Sequence, residues 1–165
     1  MAATTAAQRK ARRPKLKLEQ MREQALDARD MQDGVELDLV AGKHEEIDLE
    51  TGEVVVTEVA DGETVVVPHP LMLSDERQEA LDLFNRDEDL DQEEYTDDAG
   101  NKSTRAKRPY TIGGQPAPPG AWRLARAIQG AEDHRRLLAG GGHSNDVQLA
   151  WQLITPAQPD PTRAR

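Results

Sequence analysis

The spacing of hydrophobic positions changes along this 165-residue chain, and each change marks a different element. Residues 1–14 show no apolar periodicity and read as a flexible arm. From residue 15 to residue 31, Leu18, Met21, Ala25 and Leu26 recur at helical spacing, which predicts a short amphipathic helix with a thin apolar face. Between residues 34 and 68 the period drops to two. Val35, Leu37 and Leu39 alternate with Glu36 and Asp38, Ile47 and Leu49 follow, and the runs EVVVTEVA and ETVVVP are set off by Thr51-Gly52 and Asp61-Gly62. Alternation broken by X-Gly pairs predicts antiparallel hairpins, because glycine tolerates the positive φ of tight turns. With Asp61-Gly62 as a two-residue loop, Ala60 faces Glu63 and Val56 faces Val67. Pro68 and Pro70 lack amide donors and end the sheet.

Ser74, Asp75 and Glu76 predict a helix start, since a hydroxyl caps free amides and acids favour the positive end of the helix dipole. Ala80, Leu81 and Phe84 supply its apolar face. Twelve acidic residues then fall between positions 75 and 98, and four basic ones between 102 and 108. Such a block buries too little to offset its ordering entropy, so residues 88–108 read as a charged mobile linker that divides the chain. Beyond it, Pro118 and Pro119 lead into a helix with Trp122, Ala125 and Ile128 on one face and Gly130 at its end. A second helix, AEDHRRLLA, stops at Gly140, Gly141 and Gly142. A third starts at Ser144, presents Val147, Ala150, Trp151 and Ile154, and stops before Pro156. The expected class is α+β: a helix, hairpins and a second helix over residues 15–87, a three-helix cluster over 109–154, and a loose tail over 155–165.

Composition narrows the function classes. The chain is 32% charged, 36% hydrophobic and 3% aromatic, with a mean hydropathy of -0.77, so a generous core over its whole length is not expected. No apolar run is long enough for a membrane span and the first residues lack a signal peptide's apolar centre, which disfavours secretion and membrane insertion. With no cysteine there is no disulfide frame, thiolate metal site or cysteine nucleophile. The net charge of -10 opposes nucleic-acid binding by the molecule as a whole, although the first 22 residues carry seven basic side chains against a single acidic one, Glu19. That arm has two readings: phosphate contact, or an acidic partner that includes this chain's own residues 87–98. No recognition helix or aromatic stripe accompanies it, so specific nucleic-acid recognition is not expected.

Candidate chemical sites weigh little. Asp87, Asp89 and Asp91 occupy the first, third and fifth positions of a calcium loop, but Gln92 stands where glycine is needed and Asp98 where a bidentate glutamate is needed. His44, His69, His134 and His143 share no metal-binding spacing. The Gly140–Gly142 run joins two helices and lacks the lysine of a phosphate cradle, and Ser144 beside His143 lies in no nucleophile elbow. Neither an enzyme, a metal site nor a cofactor is expected.

Three segments carry a resemblance: PHPLMLSDERQEAL at 68–81, PPGAWRLARAIQG at 118–130 and GGGHSNDVQLAW at 140–151. In order and spacing, over roughly residues 63–154, they resemble the tail assembly chaperones of long-tailed, siphovirus-type actinobacteriophages. The stretch AEDHRRLLA departs from that pattern, which often has an aromatic residue before the glycine pair. The resemblance implies a non-enzymatic factor in the host cytoplasm, absent from the mature virion, that coats the tape measure protein, keeps it soluble and recruits major tail tube subunits. It also implies a frameshifted long form as a further partner, this chain resembling the short form. A minor head or tail completion protein of the virion is the alternative. A holdase of this kind needs an apolar groove, and Trp122, Leu124, Ile128, Val147, Trp151 and Ile154 are the expected partner-binding residues, with the core of the three-helix cluster as their other possible role.

Overall fold

A computed structural model describes residues 33–49 and 51–155. The arm at 1–14, the helix expected over 15–31 and the tail after residue 155 lie outside the described residues. The fold is α+β.

Four strands build a single long, bent hairpin. The outer strands β1 (Gly34–Asp38) and β4 (Thr64–Pro68) pair antiparallel with Val35 opposite Val67, and the inner strands β2 (Gly42–Ile47) and β3 (Val54–Val59) pair with Ile47 opposite Val54. Its tip is the Thr51-Gly52 turn, where Gly52 has φ +73°. The Asp48 carboxylate accepts from Thr51 N at 3.0 Å and Asp48 N donates to Glu53 O at 2.8 Å, which locks the turn. Asp61-Gly62 also forms a local turn, with Glu63 N donating to Ala60 O at 3.4 Å, but it does not join paired strands. Val56 faces Glu45 and Val67 faces Val35, so the expected register across Asp61-Gly62 is wrong.

The physical reason lies in the bend. Residues 39–41 on one side oppose residues 60–63 on the other, an extra residue of the kind that bends a hairpin. Leu39 N donates to Glu63 O and Gly62 N returns a bond to Leu39 O. The bend lets Leu39, Val65 and Val67 enter the core, whereas Val54 and Val56 stay outside.

After a 3-10 turn at Pro70–Met72, helix α1 (Asp75–Asn85) starts where expected, the Ser74 hydroxyl accepting from Arg77 N at 3.3 Å. Residues 88–108 are not a mobile linker. They form the hairpin β5 (Gln92–Thr96) and β6 (Lys102–Ala106), and Leu90 is buried beside it. The register sets one pair of opposite charges face to face: Arg105 donates to Glu93 at 2.9 Å and lies over the Tyr95 ring. At its turn the Asp97 carboxylate accepts from the amides of Ala99 and Asn101. Counting charges hid this cross-strand pair and the strand alternation around it.

A small hairpin, β7 (Thr111–Ile112) and β8 (Gln115–Pro116), then leads to α2 (Gly120–Gln129), α3 (Ala131–Ala139) and α4 (Ser144–Ile154). Leu73 and Leu81 from the first half share one cluster with Ala125, Ile128, Leu137 and Val147 from the second, so the chain is not divided at the charged segment. The glycine stop after α3 serves close approach. A Cβ at Gly42 would run into the Ala139 carbonyl and one at Gly140 into Leu39, so the hairpin bend seats against the end of α3, with Val40 N donating to Gly140 O at 3.2 Å.

Candidate functional site

The alternation of β2 and β3 sends His44 and Glu46 inward and Ile47, Val54 and Val56 outward. Inward, Glu46 Oε1 accepts from Arg126 Nη1 at 2.7 Å and Arg135 Nη1 at 3.3 Å, with His44 Nε2 3.6 Å from its other oxygen. Burial disfavours the charged Glu46 carboxylate, but hydrogen bonds and charge from Arg126 and Arg135 outweigh it and hold the carboxyl below its ordinary value. Arg126 in turn lies over the Trp122 ring, 4.6 Å from its centroid. This bridge joins the hairpin to α2 and α3.

A cleft of about 510 Å³ opens beside the bridge. Ile47 and Leu49 of the hairpin tip form one wall, Leu83 and Phe84 of α1 another, and Ile112 with Trp122 close it. Arg123 also lines it, only 9% exposed, with Nη1 2.8 Å from both Asp89 oxygens and the guanidinium over the Phe84 ring. A second cleft of about 500 Å³ shares Ala80, Arg126, Ala127 and Ala131 with the first and is lined mainly by polar groups at the α2–α3 junction.

Of the six expected partner-binding residues, Trp122 alone lines the apolar cleft. Ile128 and Val147 expose nothing and Ile154 is buried, so these three are core and do not themselves line a groove. Trp151 packs on the core and donates through Nε1 to Pro68 O at 2.8 Å, and Leu124 packs on the core beside it. Ile128 and Val147 fill the cluster that the C-terminal helices share with Leu39, Val65 and Val67 of the hairpin. Sequence reasoning missed Ile47, Leu49, Leu83, Phe84 and Ile112. The available signal was phase, since Ile47, Val54 and Val56 alternate in step with Lys43, Glu45 and Glu58 and therefore face outward.

The cleft carries no nucleophile and base in contact. His134 Nε2 and Ser144 Oγ do lie 3.0 Å apart, but neither lines either cleft. His134 is fully buried with the Trp122 ring edge-on at 5.3 Å. Burial and the nearby Arg126 charge push its pKa down to about 4, so it is neutral at pH 7. Ser144 occupies the first turn of α4 while Asp146 caps it, accepting from His143 N at 2.7 Å.

The carboxylates of the calcium-like run are used internally. Asp89 holds Arg123, while Asp91 accepts from the Thr111 hydroxyl at 2.6 Å and from the amides of Gly113 and Gly114, bonds that keep its carboxyl below the usual range. Among the described residues no cluster of histidine, aspartate and glutamate is placed to hold a metal, and no helix is long and apolar enough to cross a membrane. What the arrangement offers is apolar binding surface with fixed charges around it. No family model, curated protein or solved structure matches the chain.

Proposed function

We propose that the chain is a tail assembly chaperone of a siphovirus-type actinobacteriophage, acting by binding and not by catalysis. The observation that carries this reading is the apolar cleft, open beside an exposed apolar hairpin tip on a strongly acidic molecule. A holdase for a long helical protein needs such a surface to grip its client, and a charged exterior to keep the complex dispersed. The three segments that carry the resemblance also converge on one core: Leu73 and Leu81 of the first, Ile128 of the second and Val147 of the third belong to it. On this reading the tape measure protein is the client, tail tube subunits and a frameshifted long form are further partners, and the work is done in the host cytoplasm. Co-expression with the tape measure protein should raise that protein's soluble yield and co-purify it. Unchanged solubility without co-purification overturns the proposal, and recovery of the chain from purified virions would favour a minor structural protein instead.

A further inference from the structure

Ile47, Val54 and Val56 share the outward face of the hairpin tip, Leu49 follows in its turn, and all four are about half exposed or more. Ile47 and Leu49 also line the cleft, so the exposed apolar face of the hairpin adjoins the apolar side chains of Phe84 and Trp122 there. A contiguous patch of this kind marks a binding surface. Its surroundings are acidic. Lys43 is the one lysine of residues 43–58, against Glu45, Glu46, Asp48, Glu53 and Glu58, and Asp87, Glu88 and Asp89 follow α1 across the cleft. The cations nearby are already committed: Lys43 to Glu45 at 2.8 Å, Arg86 to Glu88 at 3.0 Å, Arg123 to Asp89 and Arg126 to Glu46.

We infer that the cleft and hairpin tip bind an amphipathic helix whose apolar stripe is flanked by lysine or arginine. This specifies the partner chemistry of the chaperone reading above and rests on it. A helix with its side chains is about 10 Å across, too wide to enter a cleft of about 510 Å³ whole, so it lies along the mouth and inserts apolar side chains between Leu49 and Phe84. The ion pairs with Lys43, Arg126, Arg86 and Arg123 neutralise Glu45, Glu46, Glu88 and Asp89. The acidic charge left over, on Glu58 of the hairpin's outward face and on the half-exposed Asp87 after α1, meets the flanking cations of the helix and rejects an acidic one.

The test uses the full chain and two labelled helical peptides with leucines at positions i, i+3, i+4 and i+7, one flanked by lysines and one by glutamates, read by fluorescence anisotropy. The lysine peptide binds, more weakly as salt rises, and the glutamate peptide does not. Leu49→Asp and Val54→Asp, both at exposed positions, each weaken binding about tenfold or more, and Leu153→Asp on the far face of α4 leaves it unchanged. Equal binding of the two peptides, or wild-type affinity in both hairpin variants, overturns the site. So does a dimer that Leu49→Asp dissociates in sedimentation without peptide, which assigns the patch to a second copy. Tighter peptide binding by a Leu18→Asp, Met21→Asp chain assigns it to the chain's own N-terminal residues. Peptide binding without any gain in tape measure solubility retires the chaperone reading and leaves the site standing. A solubility gain undiminished by Leu49→Asp does the reverse.

Discussion

Acidification from pH 7 to pH 5 should destabilise the protein through His134, and replacing His134 with glutamine should remove that part of the loss. The imidazole is fully buried between Trp122 and Ser144, and its pKa falls from 6.5 to about 4 in the folded state. The unfolded chain therefore takes up this proton first. The stabilisation is complete above pH 6.5 and is lost as the pH falls towards 4. Integrating the proton uptake between pH 7 and pH 5 gives a loss of about 1.8 kcal/mol. Urea denaturation followed by tryptophan fluorescence at pH 7, 6 and 5 measures it. The slope against pH is compared between wild type and His134→Gln. The variant is expected to be less stable at every pH but to lose about 1.8 kcal/mol less between the extremes. Equal slopes would show that His134 protonates as readily in the folded protein as in the unfolded one, and the burial argument would fail.

Two further substitutions test the polar interior. Glu46→Ala leaves Arg126 and Arg135 facing each other without their shared carboxylate and should cost about 2–3 kcal/mol in urea denaturation; because the folded Glu46 pKa is lowered, that stabilisation is present above the ordinary glutamate pKa and fades as pH falls through the folded value. Gln129 is fully buried and neither atom of its amide has a hydrogen-bond partner among the described residues, so Gln129→Met should raise stability by about 1–2 kcal/mol in the same assay.

The α+β class and the helix limits were legible because they depend on local chemistry: Ser74 before two acids, Gly130 and the glycine run as stops, Pro118 and Pro119 as a lead-in. The hairpin register was not, because two X-Gly turns compete and the choice between them is made by the core that accepts Leu39, Val65 and Val67. The hairpin at 92–106 was hidden for a related reason. Glu93 and Arg105 count as two charges in a composition and as one neutral pair in a ladder. The cleft followed from both errors, since its Ile47 wall needs the true register and its Ile112 wall hangs from Asp91, within the segment read as unstructured. Ile128 and Val147 were correctly singled out as apolar and misassigned by role, which periodicity cannot distinguish.

The nesting of β2–β3 inside β1–β4 also fixes an order of events in time. Bringing Gly34 to Pro68 directly means closing the whole intervening chain, and loop closure becomes costlier with length. Once the Thr51-Gly52 turn has formed and Ile47 has met Val54, only residues 39–41 against 60–63 separate the growing ladder from the outer strands. Loop-closure entropy thus favours a hairpin that zips from its exposed end inward, so the tip that is bare in the finished molecule is the part expected to pair first and to bring the outer strands within reach of each other.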